Sequence, residues 1–526
     1  MLFNSPEFIF LFLPLTLSIF FYIGGQGYRR VASVWLVAAS LVFYGWWNPA
    51  YLGLLIFSIL FNYWVGAALS QRFQIPINQK WLLTLGIVIN LLLLGYFKYA
   101  NFFVNTVNDI LGTGFNFQKI ILPLAISFFT FTQIAYIFDA YQGKAKKYNF
   151  LDYCLFVTFF PHLIAGPIVH HDELIPEFAR KETYHFNIEN IGVGLTIFSM
   201  GLFKKVIFAD NIAVYATPVF EAASRGVSLT LFEAWVGVLA YTLQLYFDFS
   251  GYSDMAIGAS RMFGVKLPLN FDSPYKSVNI SDFWRRWHIT LSNFLRDYIY
   301  IPLGGNRKGE PRRYLNLMIT MLLGGLWHGA GWTFVIWGGL HGVYLVINRQ
   351  WQLFRRSLEP NLLLSSWWCL WLGRLITFLA VVVAWVFFRA ENMKAVGIML
   401  KGMVGANGVS LPPFLSGRLA FLQSWGIRFD SLMPNLEVNP WYALSGIFFL
   451  LLIAWCTPNT QQWMAQYSPA LAQPTSKTLS DASDRFWKNL QWQANIGFGV
   501  LLGVLIFLSV RTFLGATPSD FIYFNF

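Results

Sequence analysis

Apolar runs of membrane-spanning length follow one another along this whole chain. A transmembrane helix needs about 20 mostly apolar residues to cross roughly 30 Å of hydrocarbon. Only 12% of the 526 residues are charged, against about 25% in soluble domains. The sequence therefore predicts an all-α polytopic membrane protein, folded as a single membrane domain over 1–526. Its candidate spans are 8–25, 31–47, 50–69, 81–97, 120–138, 152–169, 190–209, 229–249, 315–347, 373–388, 441–456 and 495–514.

Three basic loops predict the orientation of the chain. "GQGYRR" (25–30), "QRFQIPINQK" (71–80) and "GKAKKY" (143–148) are separated from one another by two candidate spans each. Lys and Arg are enriched in cytoplasmic loops, so we expect all three loops on the cytoplasmic side and the N-terminus outside. Such loops hold much of the net charge of +12, and no nucleic-acid motif accompanies it.

Residues 250–313 depart from the pattern of apolar spans. The segment "NISDFWRRWHITLSNFLRDYIYIPLGG" is too charged to cross a bilayer, yet its aromatic and aliphatic residues recur at helical spacing. This combination is typical of an interfacial or re-entrant element. Two further polar stretches, 402–440 and 457–494, are predicted to be extramembranous loops.

Within that segment we predict one amphipathic helix over 280–298. Asn279 is predicted as its N-terminal cap, and His288 falls on the apolar face. Arg285 stands one turn before His288, so a continuous helix would point both toward the same cavity and turn Arg286 further away. Arg285 is then the candidate for holding a phosphate-bearing donor or a carboxylate partner, for either of which a planar guanidinium is suited. Anchoring to lipid headgroups is the alternative role for both arginines.

The longest uncharged run lies in "LLGGLWHGAGW" (322–332) and its flanks. No Asp, Glu, Lys or Arg occurs from Tyr314 to Asn348. A single helix of that length would measure about 50 Å, which exceeds the hydrocarbon thickness, and glycines interrupt the run. We predict a broken helix or tight hairpin, with His328 at the break. Backbone freed from a helix at membrane depth must line a cavity or be buried in protein.

His328 and His288 are the candidate catalytic residues. A neutral imidazole can accept and return a proton near neutral pH, and acyl transfer to a hydroxyl needs such a base. A packed, hydrogen-bonded histidine is the alternative, which spacing alone leaves open and which we expect for His341. The remaining polar histidines are expected to be solvated: His170, His171 and His185.

Acidic and hydroxyl side chains cluster in "LYFDFSGYSDMAIG" (245–258). Asp248, Ser250 and Asp254 stand there near a membrane boundary. Intramembrane acids usually mark functional sites. Capping of a helix beside a break is the alternative explanation. No cysteine or histidine spacing typical of a metal site is present.

Long motifs in the second half of the chain resemble a known family. "YFDFSGYSDMAIGASRMFG", "LPLNFDSPYKSVNISDFWRRWHITLSNFLRDYIYIPLGGNR" and "GGLWHGAGWTFVIWGGLHG" closely resemble membrane-bound O-acyltransferases, and among them the bacterial alginate O-acetylation proteins. "FFPHLIAGPIV", "SPEFIFLFLPLTL" and "FIYFNF" look like the same subgroup. The resemblance covers most of the chain and is densest over 245–345.

The resemblance implies a fold and a set of roles. The family fold is a ring of tilted transmembrane helices around a central tunnel reached from both faces. The histidine of "WHG" is the family's essential catalytic residue, which implies that role for His328. The family's second polar position implies a supporting role for His288 in "RRWH". The candidates for lining the tunnel are Trp327, Asp248, Ser250, Asp254 and Trp287.

The resemblance also implies the reaction and its setting. The implied donor is a cytoplasmic thioester, acetyl-CoA, and no cofactor or metal is expected to be tightly bound. The acceptor would be an exported polysaccharide, or a hydroxyl of an extracytoplasmic serine esterase-like partner that acetylates it, at a bacterial inner membrane. Histidines in "FFPHLIAGPIVHH" and the unfamiliar 457–494 stretch depart from the subgroup and put alginate itself in doubt.

Two other functions stay open at this point. A D-alanyl transferase for teichoic acid would take its acyl group from a carrier protein instead of CoA. A membrane transporter would also use glycine-broken helices and an intramembrane acid such as Asp248. A transporter commonly shows internal repeats, and none is visible in the sequence.

Overall fold

The computed structural model describes most of the chain as helix. Helices make up 74% of it, and within the described ranges β-structure is limited to two isolated bridges. The all-α prediction is confirmed. The described ranges are 1–72, 77–145, 148–357, 367–471, 491–515 and 519–525.

The helices follow the apolar runs closely. The first part of the chain forms α1 (Leu13–Gly25), α2 (Arg29–Gly45), α3 (Leu52–Leu69), α4 (Gln79–Leu94), α5 (Ala100–Leu111), α6 (Ile126–Tyr141), α7 (Phe150–Thr158), α8 (Phe160–Leu163), α9 (His171–Ala179) and α10 (Ile188–Phe203). The remainder forms α11 (Asp210–Arg225), α12 (Leu231–Met262), α13 (Ile280–Arg286), α14 (Ile289–Leu295), α15 (Gly309–His328), α16 (Trp332–Ser357), α17 (Trp367–Arg389), α18 (Met393–Met403), α19 (Pro440–Cys456), α20 (Thr460–Trp463) and α21 (Ile496–Leu514).

Six of the described helical segments are long and apolar enough to cross a membrane. They are Glu7–Gly25, Pro49–Leu69, Gln79–Leu111, Ile188–Arg225, Trp367–Arg389 and Ile496–Leu514. The prediction of a multi-pass membrane protein is confirmed.

The predicted span 152–169 is wrong. Helix α7 ends at Thr158, and Phe159 leaves the helical conformation with ψ 108°. Pro161 explains the interruption, because proline has no N–H to continue a helix from the residue four positions earlier. The apolar run is instead shared between α7 and the single turn α8, both buried.

The described residues pack as two compact units. One contains Met1–Phe203, Gly251–Asn270 and Thr460–Asn525, and the other Lys204–Ser250 and Phe271–Asn459. The long helix α12 contributes residues to both.

In the first unit, glycines let two helices pack with their backbones in contact. A Cβ atom on Gly201 of α10 would lie 2.5 Å from the carbonyl oxygen of Gly251 in α12. A Cβ atom on Gly258 would lie 2.5 Å from the carbonyl oxygen of Gly194. Small residues at such crossings are a common way to join helices within a membrane.

The basic loops of the first unit meet at one end of it. Arg72 donates from Nη1 to the carbonyl oxygen of Tyr148 at 2.9 Å, which joins the second loop to the third. Burial raises the pKa of the Asp152 carboxyl at the start of α7, and the positive charge of Arg30, in the first loop, opposes that shift. Residues 73–76 and 146–147 of these loops lie outside the described residues. The common location agrees with the predicted orientation, and the identity of that side stays a prediction.

We expect single cysteines in the three basic loops to resist an impermeant thiol reagent in intact cells. Suitable exposed positions are Gln26, Ile77 and Lys144, each changed to cysteine in a background without the native cysteines. Labelling should become complete after permeabilisation, which shows that each thiol is reactive. Labelling of all three in intact cells would invert the orientation.

In the second unit, the uncharged run forms the predicted hairpin. Helix α15 ends at His328, the turn is Gly329–Ala330–Gly331, and α16 begins at Trp332. A Cβ atom on Gly325 would collide with the carbonyl of Phe334, and one on Gly338 with that of Met321. The two helices therefore pack along their backbones, with His328 at the tip.

The segment predicted as one amphipathic helix over 280–298 is broken. Helix α13 ends at Arg286, and α14 begins at Ile289. Its N-terminal cap is Asn279, as predicted, with the side chain accepting from the Asp282 amide at 3.0 Å. The predicted interfacial stretch 250–313 also begins too early, because α12 continues to Met262.

The two predicted extramembranous stretches differ in how much of them is described. The first, 402–440, contains two short 3₁₀ helices, Pro413–Leu415 and Ala420–Trp425. A bridge between Ser410 and Arg428 closes it. Of 457–494, residues 472–490 lie outside the described residues. The location of both stretches relative to the membrane stays a prediction.

Candidate active site

His328 lies in an aromatic pocket at the tip of the hairpin. Its side chain is only 3% exposed. The ring centroid lies 5.0 Å from Trp337, 5.2 Å from Phe388 and 4.8 Å from Trp327. Helix α15 ends at this residue, and the glycine turn that follows accommodates the Phe334 ring, with which a Cβ atom on the first glycine would collide.

His288 lies at the corner between α13 and α14. Its backbone is left-handed, with φ 44° and ψ 55°, a conformation that costs a non-glycine residue on the order of 1 kcal/mol. The corner is fixed on both sides, since the Trp287 amide donates to Phe283 and the Ser292 amide donates to the His288 carbonyl. The side chain is fully buried. Strain that the surrounding structure maintains is frequent at functional sites.

The two predicted catalytic histidines come together in the second unit. Their ring centroids are 6.3 Å apart, with the planes at 58°. The Trp327 ring forms a common wall, 5.9 Å from His288. The Phe249 and His288 rings pack nearly perpendicular to each other, with their centroids 4.8 Å apart. Two imidazoles therefore lie side by side in a buried, aromatic environment.

Trp287 belongs to the aromatic layer behind this pair. It is fully buried and lies 5.0 Å from Trp385 and 5.1 Å from Phe271. His341 lies in the same layer and accepts a hydrogen bond on Nδ1 from Trp284 at 3.3 Å. The prediction that His341 is packed and hydrogen-bonded is confirmed.

The predicted orientation of the two arginines is wrong. Arg286 is buried, and its Nε donates to Asp282 at 3.0 Å while Nη1 donates to the carbonyl oxygen of Asp272 at 3.2 Å. Arg285 is exposed. The reason is the break at Trp287, because spacing along a continuous helix no longer relates Arg285 to His288. A donor-holding role for Arg285 therefore loses its geometric support.

Asp248 forms a buried ion pair that the sequence did not predict. Lys205 Nζ lies 2.5 Å from Asp248 and 2.9 Å from Asp210, and the Lys205 and Asp248 side chains are 4% and 2% exposed. A lysine in the apolar run "GLFKKVIFAD" was the available signal, since an intramembrane cation normally has a carboxylate partner. Asp248 directly precedes Phe249, so the ion pair anchors the turn that packs against His288.

Ser250 and Asp254 have different surroundings. Ser250 is buried, and its hydroxyl finds no hydrogen-bond partner among the described residues. Asp254 belongs to the first unit, where it accepts hydrogen bonds from Thr460 at 2.6 Å and Gln461 at 3.3 Å. These side-chain contacts join α12 to the first residues of α20, and a tunnel-lining role for Asp254 stays a prediction.

The expectation that the polar histidines are solvated is wrong for His171. Its ring is buried, with Nδ1 3.1 Å from the Tyr148 hydroxyl and Nε2 3.3 Å from Asp139. His170 is half-buried at the start of α9, and His185 is exposed. In the described part of the chain, no three His, Cys, Asp or Glu side chains converge as a metal site would require.

The chain is similar to proteins named for acyl transfer to peptidoglycan, alginate and teichoic acid. A peptidoglycan O-acetyltransferase of Helicobacter pylori is 49% identical, over 100% of this chain and 98% of its own. A probable alginate O-acetylase of Pseudomonas aeruginosa is 45% identical, over 77% and 75%. A teichoic acid D-alanyltransferase of Streptococcus thermophilus is 26% identical, over 73% and 94%.

The family profile described as MBOAT, membrane-bound O-acyltransferase family, matches residues 77–385. These residues include both histidines and the helices that carry them. The activity of that family is acyl transfer, so the transporter alternative is wrong. With over half of its length matched and a relative 49% identical along all of it, the chain belongs to the membrane-bound O-acyltransferase family.

Proposed function

We propose that this protein moves an acetyl group from a cytoplasmic thioester donor, acetyl-CoA, toward a hydroxyl of peptidoglycan. The observation that carries the proposal is the pair of buried histidines, with ring centroids 6.3 Å apart. Two imidazoles at that separation can both contact one small reacting group. The aromatic walls exclude water, which would otherwise hydrolyse the thioester.

In the proposed reaction His328 is the general base. It takes the proton of the acceptor hydroxyl as the oxygen attacks the thioester carbonyl. The C–O bond of the ester forms, the C–S bond breaks, and the leaving thiolate receives the proton. His288 donates to or orients the carbonyl oxygen, where negative charge develops in the transition state. Its strained backbone and fully buried side chain favour a fixed, preorganised position.

The choice of acetyl over D-alanyl rests on the relatives. Those named for O-acetylation are 49% and 45% identical, whereas the D-alanyltransferase is 26% identical. Peptidoglycan is favoured over alginate because the relative named for peptidoglycan aligns with 100% of the chain and the alginate relative with 77%.

In this proposal the acceptor lies on the outer side of an inner membrane, where peptidoglycan is found. The hydroxyl acylated first is either on the polymer or on a serine esterase-like partner that passes the acetyl group on. In the ranges that the structure describes, long polar segments between helices are few, and 402–440 is the main one. The described residues therefore offer little polar surface for binding a polysaccharide, which supports a separate partner protein.

We expect deletion of the gene to remove O-acetyl esters from peptidoglycan. Mass spectrometry of muropeptides should show the mass of one acetyl group lost in the deletion strain and restored by the intact gene. Base-labile acetyl on other envelope polysaccharides, and ester-linked D-alanine, are measured in the same extracts. Unchanged muropeptides with a loss from another polymer would reassign the acceptor, and a loss of D-alanine would reassign the acyl group.

A further inference from the structure

A cavity of about 320 Å³ lies in the second unit, and neither histidine of the pair is among its lining residues. Its wall is mostly apolar and aromatic, with two cationic side chains. Four lining residues come from the first turns of α17, two from the segment before α13, and one from the end of α19. They are Tyr275, Lys276, Trp371, Leu372, Arg374, Leu375 and Trp455.

The cavity lies where two apolar helices end. Helix α17 is a candidate membrane span that begins at Trp367, and α19 is an apolar helix that ends at Cys456. Trp367 is 74% exposed and Trp371 is 51% exposed. Tryptophan at the ends of apolar helices is typical of the boundary between hydrocarbon and headgroups. The end of a membrane span is where lipid phosphates are expected.

The two cations of the cavity lack carboxylate partners in the described residues. Lys276 donates to the carbonyl oxygen of Thr457 at 2.5 Å and forms no ion pair there. The Arg374 guanidinium lies 5.1 Å from the centre of the Trp371 ring, and its buried Nε finds no hydrogen-bond partner among those residues. The indole N–H of Trp455 is likewise buried and without such a partner. These donors are positioned to bind an anion.

The nearest carboxylates act on Lys276 and Arg374 only at a distance and pair with Arg286 instead. Asp282 lies 3.0 Å and Asp272 3.7 Å from the Arg286 guanidinium. With Lys276 and Arg374 included, this region has three cations and two anions. Burial lowers the pKa of Lys276 to about 8, so the ammonium form still prevails at pH 7 and a bound anion would stabilise it further. One additional negative charge would make the numbers of cations and anions in this region equal.

We propose that this cavity binds the phosphate headgroup of an anionic phospholipid. Arg374 and Lys276 contact the phosphate, as arginine forks and lysine ammonium groups commonly do. Leu372 and Leu375, both exposed on α17, pack against an acyl chain. The apolar wall favours a lipid over a soluble phosphate, which would gain nothing from it. The site goes beyond the proposed acetyl transfer and does not depend on it.

The experiment is a lipid titration followed by native mass spectrometry. The full-length protein in a neutral detergent is titrated with phosphatidylglycerol and, separately, with phosphatidylcholine. We expect a tightly bound phosphatidylglycerol in the intact protein and much weaker binding of phosphatidylcholine. The double variant Lys276→Gln/Arg374→Gln should bind phosphatidylglycerol at least about tenfold more weakly, because it lacks both charged contacts.

Lys401→Gln/Arg418→Gln is the matched control, since both of these cations are exposed in the same unit and outside the cavity. Equal affinity of the two double variants, or equal affinity for both lipids, would overturn the proposal. Displacement of the lipid by free CoA at the same concentration would assign the cavity to a soluble phosphate ligand instead. If the double variant does not fold, the single variant Arg374→Gln decides by the same comparison.

Discussion

Replacing His328 with alanine is expected to abolish acetyl transfer. The base at this position accepts the hydroxyl proton, and a positioned general base contributes roughly 10²–10⁴-fold to rate. A loss of at least about 100-fold is therefore expected even if water substitutes. The assay measures transfer of labelled acetyl from acetyl-CoA to peptidoglycan by the protein in liposomes. The amount of inserted protein is matched between variants.

Two controls separate a chemical loss from a folding loss. His328→Gln retains a polar side chain of similar size in the aromatic pocket but cannot act as a base, so it should be as inactive as the alanine variant. His185→Ala removes an exposed histidine of the first unit and should leave transfer unchanged. Normal transfer by a well-inserted His328→Ala variant would refute the assignment of the base.

The apolar runs predicted most of the helices, because a membrane-spanning helix depends only on the length and hydropathy of one contiguous stretch of sequence. The hairpin α15–α16 was predictable for the same reason, since an uncharged run too long for one span, with glycines at 324, 325, 329 and 331, has few ways to fold. His328 and His288 were predicted as candidates by their apolar surroundings and by the family motifs. Their proximity depends on the tertiary packing of three elements, which the sequence reports only through the resemblance.

Features that depend on a single backbone turn were not predictable. Nothing in "FWRRWHITL" marks the left-handed conformation of His288, because the stretch contains no glycine or proline to signal a break. Because of the break there, Arg285 is exposed and Arg286 is buried, the reverse of what a continuous helix would give. Similarly, His171 lies in a polar stretch, yet Tyr148 and Asp139 from other segments bury it. Polar pairing across the fold outweighs local hydrophilicity at such positions.

Arg286→Gln is expected to destabilise the protein strongly, while Arg285→Gln leaves it nearly unchanged. Arg286 holds Asp282 through its side chain, and its backbone carbonyl accepts from the Asp272 amide at 3.0 Å. Removing the guanidinium takes away the cation that contacts two largely buried carboxylates, and breaking such a buried pair typically costs about 3–5 kcal/mol. Exposed substitutions such as Arg285→Gln usually stay within about 0.5 kcal/mol. Thermal unfolding of both variants in one detergent measures the difference.

Acetyl transfer should fall with stability in the Arg286 variant for a geometric reason. Arg286 is the last residue of α13, and the strained corner at His288 follows two residues later. Loosening the ion-pair network lets that corner relax to an ordinary helical conformation, which rotates the His288 ring away from His328. Arg286→Lys keeps the charge but not the fork that reaches Asp282 and Asp272 together, so its activity and stability should lie between those of the glutamine variant and the intact protein. If Arg286→Gln unfolds at the same temperature as Arg285→Gln and transfers acetyl normally, the corner is held by packing alone and the network has no part in positioning His288.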